Sequence, residues 1–214
     1  MSFYFPEGSV IYVSPTFGAA IPVNPVTNAV DALCTANGHG LVDNDEVLYL
    51  PTGWEDANNS VFRVDQQDAN TFKLLGLDTT DLTRFPAGQG VGTVQKISGW
   101  LALPQVLDIQ SQGGDARFTP VGLLASRNDI SIPTGFNPAN MQVTMAHDPN
   151  LAAYKSIVAI SRKSQPVAVK MVIGGGATIY GYGFISVSEV PQLQRQQVNR
   201  VTAGLSINGR IIGY

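Results

Sequence analysis

The chain has 214 residues and a formal net charge of -3; 44% of its residues are hydrophobic and only 14% are charged. This weakly acidic balance argues against a protein that wraps or reads nucleic acid, because such proteins carry a basic surface. A single cysteine, Cys34, excludes an intramolecular disulfide and with it a disulfide-stapled secreted scaffold.

The N-terminal segment predicts no targeting signal. Met1 to Glu7 lacks the positive segment and apolar core of a secretory leader, and no apolar run approaches the roughly 20 residues that span a bilayer. We therefore expect synthesis in a reducing cytoplasm. Val10 to Val13 has the pattern of a short strand, and the proline- and glycine-rich passage that follows, as far as Pro25, predicts an extended arm or loop.

The next segment, residues 32–98, predicts a compact β module. Glu46 to Leu50, Ser60 to Asp65 and Thr71 to Leu75 are short strand patterns, separated by turns rich in Asp, Asn and Gly. The module closes near Ile97 and has little room for a helix.

Beyond Gly99 the strand patterns lengthen and alternate, as in strands with one buried face. Leu101, Leu103, Leu107 and Ile109 alternate with a face that carries Asp108 and Gln110. A Gly113-Gly114-Asp115 turn leads into a strand over Arg117 to Leu124. Two later strands alternate in the same way, the first with Met141, Val143 and Met145 facing inward, the second with Val201, Ala203, Leu205, Ile207 and Ile211 opposite Thr202, Gly204, Ser206, Asn208 and Arg210.

One amphipathic helix is predicted after Asp148. Asp148 suits the N-cap and Pro149 the first helical position, while Arg162 and Lys163 complement the C-terminal dipole and Pro166 stops the helix. Its apolar stripe consists of Leu151, Tyr154, Ile157, Val158 and Ile160. A long hairpin follows, with arms Val167 to Ile173 and Thr178 to Val190 and a tip at Gly174 to Gly176.

The residues that carry chemistry are few and scattered. His39 and His147 lie in unrelated contexts, which favours structural roles, and no Gly-x-Ser-x-Gly elbow is present. Asp43, Asp45 and Glu46 have the oxygen ligands that a hard cation prefers, but a solvated turn is the favoured interpretation. No cofactor and no metal site is predicted.

Tyr180, Tyr182 and Phe184 share one strand face and leave two interpretations open. They could stack on sugar rings or bases, or they could pack against another strand or subunit, which we favour because Ile179, Gly181, Gly183 and Ile185 leave the other face free of charge. The polar run Gln192 to Gln197 could line a water-filled channel, or it could be an ordinary solvent-exposed connection between strands.

The order of these elements resembles that of a known family. The β series, the helix beginning Asp148-Pro149-Asn150-Leu151, the Gly174-Gly175-Gly176 hairpin and the closing strand that ends at Tyr214 are similar to the tail tube protein (major tail protein) of long, non-contractile-tailed phages, the siphophages. The segments Ala36 to Leu41, Val61 to Val64 and Ala69 to Leu74 resemble a small β module that recurs in phage tail proteins and is named after the first catalytic-cysteine half-domain of ubiquitin-activating enzymes.

The resemblance implies a mainly β tail-tube-like sandwich or barrel with one packed helix and a long hairpin. Residues 1–31 and 99–214 would form a discontinuous tail tube domain, and residues 32–98 an inserted module that decorates the exterior. It further implies a structural, non-enzymatic virion protein that forms stacked hexameric rings. DNA and the tape measure protein would pass through the lumen without sequence-specific binding, and tail-tip and tail terminator proteins would meet the tube ends. Assembly would take place in the bacterial host cytoplasm.

Three sets of residues are assigned to surfaces on this basis. The lumen-facing candidates are Asp108, Gln110, Thr202, Ser206 and Asn208. The inter-subunit packing candidates are Val169, Met171, Ile173, Tyr180, Tyr182 and Phe184. The ring-stacking candidates are Thr16, Phe17, Pro22, Pro25, Pro133, Phe136 and Asn137. Since Arg210 and Lys170 interrupt two of the faces concerned, at least one of those faces must point elsewhere or pair its cation with an acid.

Two other functional classes compete with the tube subunit. A carbohydrate-binding or adhesin-like β protein of a phage or bacterial surface is the alternative, and it rests on the tyrosine face. A hydrolase comes third because no acid, base and nucleophile converge in the pattern.

Overall fold

The computed structural model describes residues 7–125 and 127–214. The first six residues, which belong to the segment without a leader pattern, lie outside the described part. Within it the chain forms one α-helix, α1 at Ala152–Lys163, and a short 3-10 turn at Glu55–Ala57. The strands are β1 Val10–Ser14, β2 Thr16–Phe17, β3 Ile21–Val23, β4 Leu33–Thr35, β5 Glu46–Pro51, β6 Ser60–Gln66, β7 Thr71–Leu74, β8 Gly92–Ser98, β9 Leu101–Ala102, β10 Val106–Gln112, β11 Ala116–Val121, β12 Ile130–Phe136, β13 Ala139–Ala146, β14 Pro166–Val172, β15 Thr178–Val187, β16 Arg200–Ile207 and β17 Ile212–Gly213.

The larger sheet is antiparallel and has the order β10-β13-β16-β15-β14-β1-β9, with β17 also paired to β15. The predicted hairpin is confirmed: β14 pairs with β15 from Pro166 opposite Phe184 to Val172 opposite Thr178. The mainly β fold with one helix is therefore confirmed.

One face of this sheet is apolar and is covered by α1. The alternation in β13 and β16 is confirmed, because Met141, Val143 and Met145 are buried together with Val201, Ala203, Leu205 and Ile207. Tyr154 and Ile157 of the helix enter the same cluster. The amphipathic stripe thus closes the core from one side.

Three local predictions are wrong, each for a physical reason. The helix has Leu151, not Asp148, at its N-cap, because the Asp148 carboxylate accepts the Asn150 amide at 3.0 Å and forms a turn before the helix. Leu107 is exposed because the pairing of β10 with β13 shifts at this residue, which turns its side chain out of the core. Ile211 is exposed because β16 has already ended.

The smaller sheet has the order β2-β8-β5-β6-β7-β4, and β3 also pairs with β8. Its core contains Tyr49, Trp54, Phe62 and Phe72. The passage Thr16–Val23, predicted to be an arm or loop, instead contributes β2 and β3 to this sheet. The small sheet therefore begins earlier in the chain than residue 32.

The two sheets pack together along a seam. Leu48, Val61 and Ile97 of the small sheet form one buried cluster with Ala168 and Tyr180 of the large sheet. The C-terminus strengthens the seam, because the Tyr214 hydroxyl accepts the Arg63 amide at 3.0 Å and donates to the Leu75 carbonyl at 2.6 Å. The small sheet thus covers part of the second face of the large sheet.

The Tyr49 hydroxyl gives the first testable prediction. It is buried and has no hydrogen-bond partner among the described residues, and burial, followed by the nearby Cys34, raises the pKa of Tyr49. Tyr49→Phe removes an unpaired polar group without removing ring volume. We expect the free energy of unfolding of the unassembled subunit to rise by about 1 kcal/mol at pH 7, measured by urea denaturation.

The same variant should flatten the alkaline loss of stability. Above the ordinary tyrosine pKa of about 10, the unfolded chain releases the proton that folded Tyr49 keeps, so stability falls as pH rises. Tyr49→Phe lacks this group. Tyr180→Phe is the control for the measurement at pH 7, because its hydroxyl donates to Glu46 and its loss should lower stability at that pH. Equal destabilisation by both variants would contradict the interpretation of Tyr49.

Candidate functional site

The lumen-facing candidates lie together on one face of the large sheet. Asp108 and Gln110 come from β10, Thr202 and Ser206 from β16, and β13 runs between the two strands. The cross-strand rows on this face are Asp108, Thr144 and Thr202; Gln110, Gln142, Gly204 and Ser186; and Gln112, Asn140, Ser206 and Phe184. Asn208 follows β16 and is exposed. We name these rows the polar half-sheet.

The polar half-sheet presents amides and hydroxyls rather than charges. Its centre is an open depression of about 710 Å³, and none of the residues that line it is charged. Asp108 stands beside the depression, where its carboxylate accepts the Gln110 amide at 3.0 Å. Arg200 begins β16 and is exposed at the end of the same face. Such a surface hydrogen bonds to water and offers no cluster of cations to a phosphate backbone.

The other half of this sheet face is covered by the small sheet. Lys170 Nζ lies 3.0 Å from Glu46 Oε1, and the Tyr180 hydroxyl donates to the same oxygen at 2.6 Å. Arg63 Nε donates to the Tyr180 hydroxyl at 3.3 Å. Burial raises the pKa of Tyr180, and the Glu46 hydrogen bond raises it further. Lys170 is therefore paired with an acid inside the seam.

Arg210 also points away from the polar half-sheet. It lies close enough to Asp78 to lower the pKa of that carboxyl, after the larger contribution of the hydrogen bonds from Thr80. Gly209 lets the chain approach the small sheet just before Arg210, because a Cβ at this position would lie 1.8 Å from the Asn59 carbonyl oxygen. The chain passes directly against the small sheet at this point.

The fold buries some of the inter-subunit packing candidates and leaves others partly accessible. Val169 and Tyr180 are 2% and 3% exposed within their own chain, so they have no surface to offer a neighbouring subunit. This assignment is wrong for these two residues. Val169 lies in the core between the large sheet and α1, and Tyr180 lies in the core between the two sheets. Met171 and Ile173 are half-buried.

The predicted tyrosine face does not form an exposed ladder. Tyr182 is half-buried and packs edge-on against Phe17, with ring centroids 5.9 Å apart. Phe184 is 42% exposed and lies in the last row of the polar half-sheet. The aromatic surface on which the carbohydrate-binding alternative rested is therefore reduced to one ring.

The ring-stacking candidates fall into two places. Thr16, Phe17 and Pro22 lie in β2 and β3, and Pro25 follows them on the surface. Pro133, Phe136 and Asn137 lie in or next to β12, and all three are exposed.

Strands β11 and β12 form a two-stranded ribbon that we name the arm. Within the described part of the chain they pair only with each other, and the arm leaves the large sheet between β10 and β13. Most of its residues are exposed, including the large apolar side chains Phe118, Val121, Leu123, Leu124, Ile130, Ile132 and Phe136. Sequence reasoning found the strand that begins at Arg117 but not β12, and it missed the arm, because a strand pattern does not show that a ribbon leaves its sheet.

The few residues able to do acid, base or metal chemistry have structural partners. His39 accepts the Leu41 amide at 3.0 Å and stacks edge-on with Phe72. His147 packs against Tyr154, although its buried Nδ1 has no hydrogen-bond partner among the described residues, and Asp45 pairs with Lys96 at 2.7 Å. Burial raises the pKa of Cys34 to about 12. Residues 7–125 and 127–214 contain no group of three His, Cys, Asp or Glu side chains placed to hold a metal ion, and no helix among them is long and apolar enough to cross a membrane.

One protein family matches most of the chain. A family model described as phage tail tube protein, TTP, covers residues 52–214. The match includes the polar half-sheet, the arm, α1 and the long hairpin. No curated protein matches the chain.

Two neighbouring aromatic residues test the division of the sheet face. Tyr182→Lys places a charge under the small sheet, and we expect it to lower the free energy of unfolding of the subunit by about 2–4 kcal/mol. Phe184→Lys, two residues along the same strand face, should change it by less than about 1 kcal/mol because that side chain is partly in water. Urea denaturation of the two variants provides the comparison. Equal losses would mean that the small sheet does not cover Tyr182 selectively.

Proposed function

The chain belongs to the phage tail tube protein family, and we propose that it builds the hollow tube of a long, non-contractile phage tail from stacked hexameric rings of itself. Membership of the family establishes a structural tail tube role in the virion. The observation that carries the finer proposal is the polar half-sheet, an open face with an uncharged centre that ends in a strand with one free edge.

The free edge supports closure into a ring. Strand β10 pairs with β13 on one side and has no strand partner on the other among the described residues. At the opposite side of the polar half-sheet, β14 begins at Pro166 opposite Phe184, so Ile185 and Ser186 extend past it, whereas the Val187 amide donates to the Ser161 hydroxyl at 2.9 Å. The four strands β10, β13, β16 and β15 alternate in direction, so β10 of one copy can continue this sequence beside β15 of the next.

The polar half-sheet is then the wall of the lumen. Strands from six copies would form a continuous barrel around the axis. Amides and hydroxyls keep the wall wetted, and the scarcity of cations leaves DNA phosphates without strong contacts. DNA and the tape measure protein pass through this channel without sequence-specific binding. Tail-tip and tail terminator proteins meet the two ends.

In this arrangement the small sheet lies on the exterior. Because it covers the same face of the large sheet as the lumen half, the large sheet must curve between the two halves. Residues 16–98 carry ten acidic and four basic residues. The rest of the chain carries six acidic and nine basic residues. A net charge of -6 on the small sheet keeps assembled tubes apart by repulsion. Assembly takes place in the host cytoplasm before the tube becomes part of the virion.

Negative-stain electron microscopy of the purified full-length chain tests the proposal. We expect rings with sixfold symmetry and hollow filaments, visible in end views and side views. Analytical ultracentrifugation over a concentration series provides the second measurement. A strictly monomeric chain at high concentration that binds glycans would support the carbohydrate-binding alternative instead.

A cation in the lumen should slow DNA passage. Gln142 is exposed at the centre of the polar half-sheet, and Gln142→Lys would add one positive charge per copy to the wall. In phage particles built with this variant we expect slower DNA ejection, measured by the fluorescence of a dye that binds released DNA, and a rate that recovers as salt concentration increases.

Gln67→Lys is the matched control, because Gln67 is exposed on the small sheet side. It adds the same charge outside the proposed lumen and should leave ejection unchanged. Equal slowing by both variants, or by neither, would contradict the assignment of the polar half-sheet to the lumen.

A further inference from the structure

We propose that the arm of one copy docks on the β15–β16 connection, residues 188–199, of the copy stacked above it. This inference rests on the proposed tube and names the surface that receives the arm. Two apolar surfaces at opposite ends of one subunit carry it.

The arm leaves one end of the polar half-sheet. It begins after Gln112 and returns before Ala139, at the row that contains Ser206 and Phe184. Asn137 and Asp115 close its root, because the Asn137 amide donates to the Asp115 carbonyl at 2.9 Å.

The second surface lies at the other end of the same strands. The 188–199 connection joins the end of β15 to the start of β16 and is held there by three backbone hydrogen bonds. Gln192 and Arg200 donate to each other's carbonyl groups at 2.8 and 3.2 Å, and the His147 amide donates to the Asn199 carbonyl at 2.8 Å. Val190, Leu193 and Val198 of the connection are exposed, and Leu107 at the start of β10 is exposed at the same end. We name these four residues the receiving surface.

The arm needs a cover that its own chain does not supply. An isolated two-stranded ribbon is marginally stable in water. Cross-strand pairs place Thr119 opposite Ile132 and Val121 opposite Ile130 on one face, and Phe118 opposite Pro133 on the other. Both faces are therefore apolar and exposed, which is typical of a segment that binds a partner.

A second copy is the occupant that fits best. An arm at one end and a receiving surface at the other form a head-to-tail contact, which repeats without closing and so extends a filament. Six residues of strand span about 20 Å, so the arm is long enough to reach a neighbouring copy beyond the end of its own sheet. The connection contains only two charged residues, Glu189, which is paired with Arg162, and Arg195. Its apolar side chains therefore match an arm that is itself mostly uncharged.

Disulfide trapping tests the contact on assembled filaments. Cys34 is buried and its thiol pKa is raised to about 12, so we expect the natural cysteine to form no disulfide under these conditions. A cysteine is introduced in the receiving surface by Leu193→Cys and in the arm by Phe136→Cys at the root, Ile132→Cys in the middle or Leu124→Cys at the tip. Each double variant is assembled, oxidised with diamide and analysed on a non-reducing gel.

We expect at least one arm position to produce a ladder of covalent oligomers, because each copy then has one cysteine at each end of a repeating contact. The corresponding single variants should also form filaments but should run as monomers on the non-reducing gel. The matched control replaces Leu193→Cys by Leu82→Cys, another exposed leucine, in the connection between β7 and β8, and should give no ladder.

The outcomes separate this inference from the proposed function. Filaments in which none of the three arm positions forms a disulfide with residue 193 would overturn the receiving surface and leave the tube intact. Dimers from the single arm variants would show that arms meet arms, which also overturns it. A chain that forms no filaments at all removes the proposed function, and this inference with it.

As a second measurement, Leu193→Lys should shorten the filaments seen by microscopy at least tenfold, and Leu82→Lys should not. Both leucines are exposed in the single chain, so circular dichroism should show an unchanged fold. Filaments of full length with Leu193→Lys would count against the contact.

Discussion

The large sheet has two faces, and a single chain covers only part of them. The helix α1 covers one face, and the small sheet covers half of the other. The remaining half carries amides and hydroxyls, which can stay in water without cost. The residue types on each part follow from this division: alternating Met, Val and Leu under the helix, packed tyrosines in the seam, and Gln, Asn, Thr and Ser on the open half.

The seam holds the two sheets as one unit and uses charge to do so. Glu46, Lys170 and Tyr180 are mostly buried together, and removing any one of them would leave a polar group without its partner. The Lys170 ammonium also lies 4.5 Å from the Trp100 ring centre. Apolar residues could pack at the seam with similar stability, but charged partners with few acceptable geometries fix the orientation of the small sheet more narrowly. That orientation decides which half of the face remains open.

Local periodicity predicted the elements but not what covers them. Because side chains in a strand alternate between its two faces, the sequence predicted which strand residues point inward and which share a polar face. The inward set was Met141, Val143 and Met145, and the polar set was Asp108, Gln110, Thr202 and Ser206. The sequence showed two polar faces, and only the pairing of β13 with both β10 and β16 made them one. Tyr180 looked like a surface residue for the same reason: its cover comes from Glu46 and Arg63, more than a hundred residues earlier. Leu107 was misassigned because a bulge shifts register without a local signal.

The distribution of charge follows from symmetry. In the proposed hexamer every charge on the lumen wall is repeated six times around one axis, so its field adds where DNA passes, whereas the dipoles of amides can reorient and largely cancel. A charge on the outer surface is separated from the axis by more than the screening length of about 8 Å in physiological salt and has little effect there. The chain therefore can carry ten acids in the small sheet, but on the polar half-sheet it has Asp108 in the rows and Arg200 at their end. In the proposed tube, a wall with so few charges would let DNA pass, while the acidic small sheet lies away from the axis.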